Sequence, residues 1–289
     1  MKHLNEKVAV ITGAGSGIGR ATAIELSKEG CRLAISDINE EQVQETQRII
    51  EGLGNEVHSK MLDVTDRNAF YTYADEVAKK FGKVNLVINN AGVNVFSNLE
   101  NTRYEDFEWI MNINFWGMVY GTKAFLPYLK KSGDGHIANV SSLFGIVAPP
   151  NSGAYNASKF AIRGFNETLR AEMKIHNYGI NVSSIHPGGI KTNIVRHSRN
   201  DPDFVGGTDP DVLDKRFQKI AKVTPEEAAK TIIKGIKKNK MRILIGRDAL
   251  MFDLGSRLSP NLVNERFTSM FKAQYDRAKS KIKLNDIKK

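Results

Sequence analysis

At 289 residues with 41% hydrophobic content, the chain has the length and apolar mass for one large α/β domain and a substantial core. A single cysteine, Cys31, excludes an intrachain disulfide, and no stretch approaches the roughly 20 apolar residues of a membrane span. The formal charge of +10 is unevenly spread: from Lys240 to Lys289 there are 12 Lys/Arg against 5 Asp/Glu, a net of +7, so the basicity belongs mostly to the C-terminal tail.

The start is polar, with Lys2 and Lys7, and shows no secretory pattern, so a soluble cytoplasmic protein is expected. The apolar runs Val8–Thr12, Arg32–Ser36, Val57–Met61, Val84–Asn89, His136–Val140 and Asn181–His186 read as strands. Several are almost wholly apolar, as strands covered by helices on both faces are. Helical patterns fill the gaps at Ile18–Glu29, Glu40–Leu53, Arg67–Phe81, Tyr104–Lys130 and Ala154–Asn177. Such alternation predicts a single α/β domain with a doubly wound, seven-stranded parallel sheet and helices on both faces. Beyond Pro187 the pattern loosens. The stretch 192–223, with Pro202, Gly206, Gly207 and Pro210, reads as a lid with one short helix. Thr224-Pro225-Glu226-Glu227 announces the next helix, with Thr as cap, Pro at the first position and Glu three after the cap. Met241–Gly246 reads as the seventh strand.

The first strand runs into Gly13-Ala14-Gly15-Ser16-Gly17-Ile18-Gly19 and then a helix. In that context glycines let the backbone approach a pyrophosphate, and the helix N-terminus offers free N–H groups and a positive dipole end. Asp37 ends the second strand, 24 residues after Gly13. A carboxylate there accepts hydrogen bonds from the adenosine ribose and repels a 2′-phosphate; its plainer role is to cap the Glu40 helix. No Lys or Arg stands at Ser16 or Ile38 to hold such a phosphate, so NAD is preferred over NADP. Tyr155 and Lys159 are four apart and share a helix face. An ammonium beside a phenol lowers its pKa from about 10, and bringing it to about 7 takes roughly 4 kcal/mol. The six histidines show no metal-ligand spacing, so no metal is expected; His186 reads as satisfying backbone at a strand end.

Thr12-Gly13-x-x-x-Gly17-x-Gly19, Asp63-Val64, Asn89-Asn90-Ala91-Gly92, Asn114, Ser142, Tyr155-x-x-x-Lys159 and Pro187-Gly188 occur in this order from about Lys7 to Gly246. Together they make the chain resemble the short-chain dehydrogenase/reductases. The resemblance implies a Rossmann domain over residues 1–246; the basic extension 247–289 lies beyond it, carries no motif of the family, and is expected from its apolar stripe to pack on the domain or a neighbouring subunit. The resemblance implies that Tyr155 is the acid/base, that Lys159 lowers its pKa and holds the nicotinamide ribose, that Ser142 orients the substrate oxygen, and that Asn114 positions a proton-relaying water. It also places Asp63 and Val64 beside the adenine, and Asn90, Ala91 and Gly92 along the cofactor. Pro187, Gly188, Ile190 and Thr192 fall at the nicotinamide end. Asn94, Phe96, Leu143, Phe144 and Gly189 would line a substrate pocket; the aromatic and aliphatic members suggest an apolar substrate, or serve as packing.

The expected reaction is reversible hydride transfer between NAD and a secondary alcohol or ketone. Two other readings are a 3-oxoacyl thioester reductase using NADPH, which Asp37 opposes, and a cofactor-sensing binding protein without turnover, which the intact Asn114–Ser142–Tyr155–Lys159 set opposes. The helices at 104–130 and 154–177 resemble the pair that this family buries against sister subunits, which implies a homodimer or homotetramer. In the tail, Val263, Phe267, Met270, Phe271, Tyr275, Ala278 and Ile282 recur at helical spacing. Packing on the chain's own domain or a sister subunit is the first expectation for that stripe, attachment to an anionic membrane surface the second. No nucleic-acid partner is expected, because no binding module accompanies the charge.

Overall fold

In the computed structural model, residues 1–201 and 209–286 are described. The strands are β1 Val8–Thr12, β2 Arg32–Asp37, β3 Val57–Met61, β4 Leu86–Asn89, β5 Val95–Phe96, β6 Gly135–Val140, β7 Ile180–Pro187, β8 Arg199–Asn200 and β9 Arg242–Ile245. The α-helices are α1 Gly17–Lys28, α2 Glu40–Gly52, α3 Arg67–Phe81, α4 Tyr104–Met111, α5 Gly117–Ser132, α6 Gly153–Ile175, α7 Pro210–Ile220, α8 Pro225–Lys237, α9 Arg247–Leu258 and α10 Pro260–Asp286. Seven strands form one parallel sheet in the order β3-β2-β1-β4-β6-β7-β9. The order reverses between β1 and β4, and an open parallel sheet binds ligands at the carboxyl ends of the strands beside such a switch point.

Every residue of β1, β4 and β6 is buried, because helices cover both faces. On one face Ile11, Leu33 and Ile88 pack with Ala23 and Leu26 of α1, Val43 and Ile50 of α2, and Ile232 and Ile236 of α8. On the other, Val10, Val87 and Ile137 pack with Phe70 and Val77 of α3, Phe125 of α5 and Leu169 of α6. The Thr224 capping box forms as the sequence requires: its hydroxyl accepts from Glu227 N while the Glu227 carboxylate accepts from Thr224 N.

Three elements differ from the sequence reading. The helix expected across Tyr104–Lys130 is interrupted by a π-helical segment, Asn112–Trp116, where one extra residue per turn is accommodated. The 192–223 stretch carries more structure than one short helix. Its β8 pairs in parallel with β5, and α7 spans 11 residues; Pro202, Gly206 and Gly207 of the expected lid lie outside the described residues. The tail carries a further helix, α9, ahead of the one that bears the apolar stripe. Of its apolar stripe, Phe267, Val263 and Phe271 pack inward, Met270 and Tyr275 are exposed, and the side chains of Ala278 and Ile282 lie outside the described residues.

Candidate active site

The Gly-rich turn between β1 and α1 is shaped by close approach. Gly13 has φ +64° and Gly17 φ +51°, the left-handed region where a side chain is strained. A Cβ at Gly19 would lie 2.0 Å from the Gly13 carbonyl oxygen. The side chain of Asn90 braces this turn by donating to the carbonyls of Thr12 and Gly13, both at 3.0 Å. That amide is therefore spent on the protein, leaving the backbone of Asn90, Ala91 and Gly92 to face a ligand. Helix α1 starts at Ser16 with no side-chain cap, whereas Asn39, Asp66 and Thr224 cap α2, α3 and α8. An uncapped N-terminus beside a glycine cradle fits the pyrophosphate of a dinucleotide.

Asp37 lies at the end of β2, against this turn. One carboxylate oxygen accepts from Gly15 N at 2.8 Å and the other from Asn39 N at 3.0 Å. The cap of α2 is Asn39, not Asp37. The Asp37 carboxylate is only part-buried, and its outward lone pairs fit a ribose diol. Neighbouring Ile38 is 68% exposed and offers no cation to a 2′-phosphate. Arg20 is committed to Thr46 and the Gln42 carbonyl. Farther along, Asp63 accepts from both the N–H and hydroxyl of Thr65, a turn that leaves Val64 buried against Gly117.

The catalytic candidates converge at the carboxyl ends of β4, β6 and β7. Tyr155 is on the first turn of α6 and Lys159 one turn later, so the Lys159 ammonium sits 5.5 Å from the Tyr155 ring centroid. Lys159 Nζ donates to the Val140 carbonyl at 3.1 Å and lies over Gly92, where a Cβ would come within 3.4 Å of it. Ser142, in extended backbone after β6, accepts from Phe144 N at 3.1 Å, and its hydroxyl lies close enough to Tyr155 to favour the phenolate. Ser141 points away, donating to the Lys159 carbonyl, as strand alternation requires. Asn114, in the π-helical segment, accepts from Val93 N at 2.8 Å and donates to Val93 O and Ser158 Oγ, both at 3.0 Å. His186 bonds the Ser142 carbonyl at 2.8 Å, so it braces backbone at the strand end.

Burial pushes Tyr155 up to about 12, against the opposing pull of the Ser142 hydroxyl, and takes Lys159 down to about 7. A unit charge 5.5 Å from the ring, at an effective dielectric of 20, is worth roughly 3 kcal/mol. Desolvation works against the phenolate, and that one charge falls short of what a value near 7 requires, so the protein alone keeps the phenol neutral.

Tyr155 clusters with Val95, Ile110 and Ala154, and Val93, Phe107, Trp109, Phe144 and Ile194 pack against that cluster; Phe144 meets the tyrosine ring edge-on at 6.0 Å. Leu143 turns the other way. With Ile146 and Val147 it packs under Phe267, Val263 and Phe271 of α10, so its role is packing rather than lining. Phe96 belongs to the small sheet that ties β8 to the domain, beside buried Asn94, whose carbonyl accepts from Arg199 N. Arg199 stacks on Trp109 at 3.9 Å and pairs with Asp106 at 2.9 Å, anchoring β8 against α4. Ile190 bridges to Val223, and the Thr192 methyl faces Gly17 across the turn. Val93 directly follows Gly92 and Ile194 lies two residues beyond Thr192; both fall in runs, 93–96 and the loop after 192, that the sequence reading expects around the substrate. Asp248 was missed: it accepts from Gly189 N at 2.8 Å, and a Cβ on Gly188 would collide with its carboxylate.

A family model described as short chain dehydrogenase matches residues 7–203. The chain belongs to the short-chain dehydrogenase family. It is 45% identical over 259 residues to the putative oxidoreductase SadH of Mycobacterium tuberculosis, covering 89% of this chain and 92% of that one. It is 36% identical over 251 residues to the C alpha-dehydrogenase of a Sphingobium species, covering 84% of this chain and 82% of the relative. A short-chain dehydrogenase/reductase from Burkholderia phymatum, solved in complex with NAD, superposes with a TM-score of 0.82 at 28% identity, covering 91% of this chain and 97% of that one. As a short-chain dehydrogenase the chain is a nicotinamide-dependent oxidoreductase of small molecules. Among the described residues no helix is long and apolar enough to cross a membrane, and no group of three metal-ligating side chains occurs.

Proposed function

We propose that this short-chain dehydrogenase interconverts an apolar secondary alcohol and its ketone, with NAD as the preferred cofactor. The observation that carries the reading is the convergence of Tyr155 and Lys159, one helical turn apart with the ammonium 5.5 Å from the ring centroid, beside the Ser142 hydroxyl that follows β6. Asp37 at Gly15, with no cation beside it, supports NAD over NADP. The cofactor, when bound, accepts or donates the hydride. The chain's residues hold the reactants and manage the proton. Glycines 13, 15, 17 and 19, with the N–H groups of Ser16 and Ile18, hold the pyrophosphate, and Asp37 holds the adenosine ribose. Asp63 and Val64 flank the adenine, and Asn90, Ala91 and Gly92 border the cofactor. Pro187, Gly188, Ile190 and Thr192 border its nicotinamide end.

Ser142 donates to the substrate oxygen, and Tyr155 removes the alcohol proton at its phenol oxygen as the C–H bond breaks. Moving Tyr155 from about 12 to near 7 takes roughly 7 kcal/mol. Lys159 supplies less than half of this, so the positive charge of an oxidised nicotinamide is the natural source of the remainder. Asn114 fixes the Val93 segment against α6 and orders the proton route behind Lys159. Val93, Phe144 and Ile194 supply the apolar surface. The relative named C alpha-dehydrogenase supports dehydrogenation as the reaction type. Trp116 and Phe160, 45% and 37% exposed on neighbouring helical faces, support assembly through that surface into a dimer or tetramer.

The test is formation of reduced cofactor by the full-length protein with NAD and a panel of apolar secondary alcohols. Tyr155→Phe should lower kcat by about 10²- to 10⁴-fold while the Kd for NAD stays within a factor of about two. NAD binding without turnover across the panel would leave a cofactor sensor instead, and retained turnover in Tyr155→Phe would remove this residue from the mechanism.

A further inference from the structure

Helix α9 is divided between its two faces in an unusual way. Its acids turn inward: Asp248 accepts from Gly189 N, and buried Asp253 pairs with Arg242 and Arg257. Its outer face carries Leu250, Met251, Leu254 and Leu258, 56%, 61%, 59% and 76% exposed. At 3.6 residues per turn these four fall within about 100° of arc. Leu262, 64% exposed, follows on the first turn of α10. Arg247 falls inside the same arc and Arg257 at its edge, and Arg266 lies one turn beyond Leu262. Arg247 and Arg266 make no ion pair among the described residues, and the exposed acids of this region are Glu265 and Asp276 on α10. Solvated surface helices place charge outside and apolar groups inside. Here the inner face is already satisfied by Ala249, Phe252 and Asp253, and the outer face is apolar with a cationic border.

We propose that the outer face of α9, continued by Leu262 and Arg266 of α10, docks on the surface of an anionic lipid bilayer. The charge pattern selects this occupant. Leucines and a methionine enter the acyl boundary while arginines meet lipid phosphates. A second copy of the chain fits less well: a two-fold contact brings the same patch against itself, and would gather Arg247, Arg257 and Arg266 of both copies with the acids of α9 turned inward. The net of +7 carried from Lys240 to Lys289 adds attraction of the same sign. The surface seen here is distinct from the stripe on α10, whose Val263, Phe267 and Phe271 are consumed by packing on Leu143, Ile146 and Val147.

Co-sedimentation of the full-length protein with phosphatidylcholine vesicles, with and without phosphatidylglycerol, tests this without relying on catalysis. Binding is expected to the anionic vesicles and to weaken with added salt. Combined Leu250→Ser, Leu254→Ser and Leu258→Ser should reduce it at least tenfold, as should combined Arg247→Gln and Arg266→Gln. These side chains are exposed, and unchanged NAD binding and circular dichroism would show the variants folded. Absence of vesicle binding, or binding insensitive to the leucines, overturns the proposal. A fall in oligomeric mass of the leucine variant, read by light scattering without any vesicle binding, overturns it in favour of a subunit interface.

Discussion

Asp37 does two jobs with one carboxylate. Its hydrogen bond to Gly15 N fixes the Gly-rich turn, and on the proposed NAD reading its charge would also repel a 2′-phosphate. Replacing it with Ala would lose both effects at once, so the informative change is Asp37→Asn, which keeps an acceptor and removes the charge. In Asp37→Asn the ratio of kcat/KM for NAD over NADP should fall by about tenfold or more, since the repulsion amounts to about 1–2 kcal/mol at a part-exposed site. Adding Ile38→Arg at the 68% exposed neighbour should push preference toward NADP. An unchanged ratio in both variants would mean that Asp37 serves the turn alone. The same double accounting applies to Lys159. Its ammonium holds the Val140 carbonyl and charges the Tyr155 environment, so Lys159→Met should lose activity and loosen the loop after β6 together.

Among the elements, the tail changes most between sequence and structure. The apolar spacing of Val263, Phe267 and Phe271 was legible, and so was a helix, but which surface receives it depends on where Leu143, Ile146 and Val147 face in three dimensions. The π-helical segment was illegible for a related reason. Asn114 satisfies both backbone groups of Val93, a partner 21 residues away, and that distant demand widens the helix locally. By contrast the strands, the capped helix at Thr224 and the convergence of Ser142, Tyr155 and Lys159 were legible, because each rests on short-range periodicity or on a motif of fixed spacing. The α10 contact has an energetic consequence. Phe267 is 8% exposed and stacks on Phe252 at 4.9 Å. Phe267→Ala should cost about 3 kcal/mol in urea unfolding. A loss below about 0.5 kcal/mol would mean that α10 unfolds separately from the sheet.

For the molecule as a whole, acid is the vulnerable side. His136 on β6 and His186 on β7 are fully buried. Burial, reinforced at His136 by the N-terminal ammonium and Arg170, takes His136 down to about 3; burial, against its bond to the Ser142 carbonyl, takes His186 down to about 4. In the unfolded chain both titrate near 6.5. Their folded values are lowered, so the unfolded state binds protons first as the pH falls. The stability they permit is complete above about pH 6.5 and declines toward pH 4, where His186 also charges in the folded state. Two extra protons on the unfolded chain give a slope of about 2.7 kcal/mol per pH unit in the steep part of that window. Against a typical total of about 5–15 kcal/mol, two pH units come close to unfolding the protein. The measurement is the urea midpoint between pH 7 and pH 4.5. His136→Asn should roughly halve the slope between pH 6 and pH 4.5, whatever its effect on stability at neutral pH. The slope rather than the midpoint carries the test, because a substitution at a site bonded to Ser183 shifts the midpoint for packing reasons alone. A midpoint that stays level down to pH 4.5 would mean that acid reaches these histidines without unfolding the sheet around them.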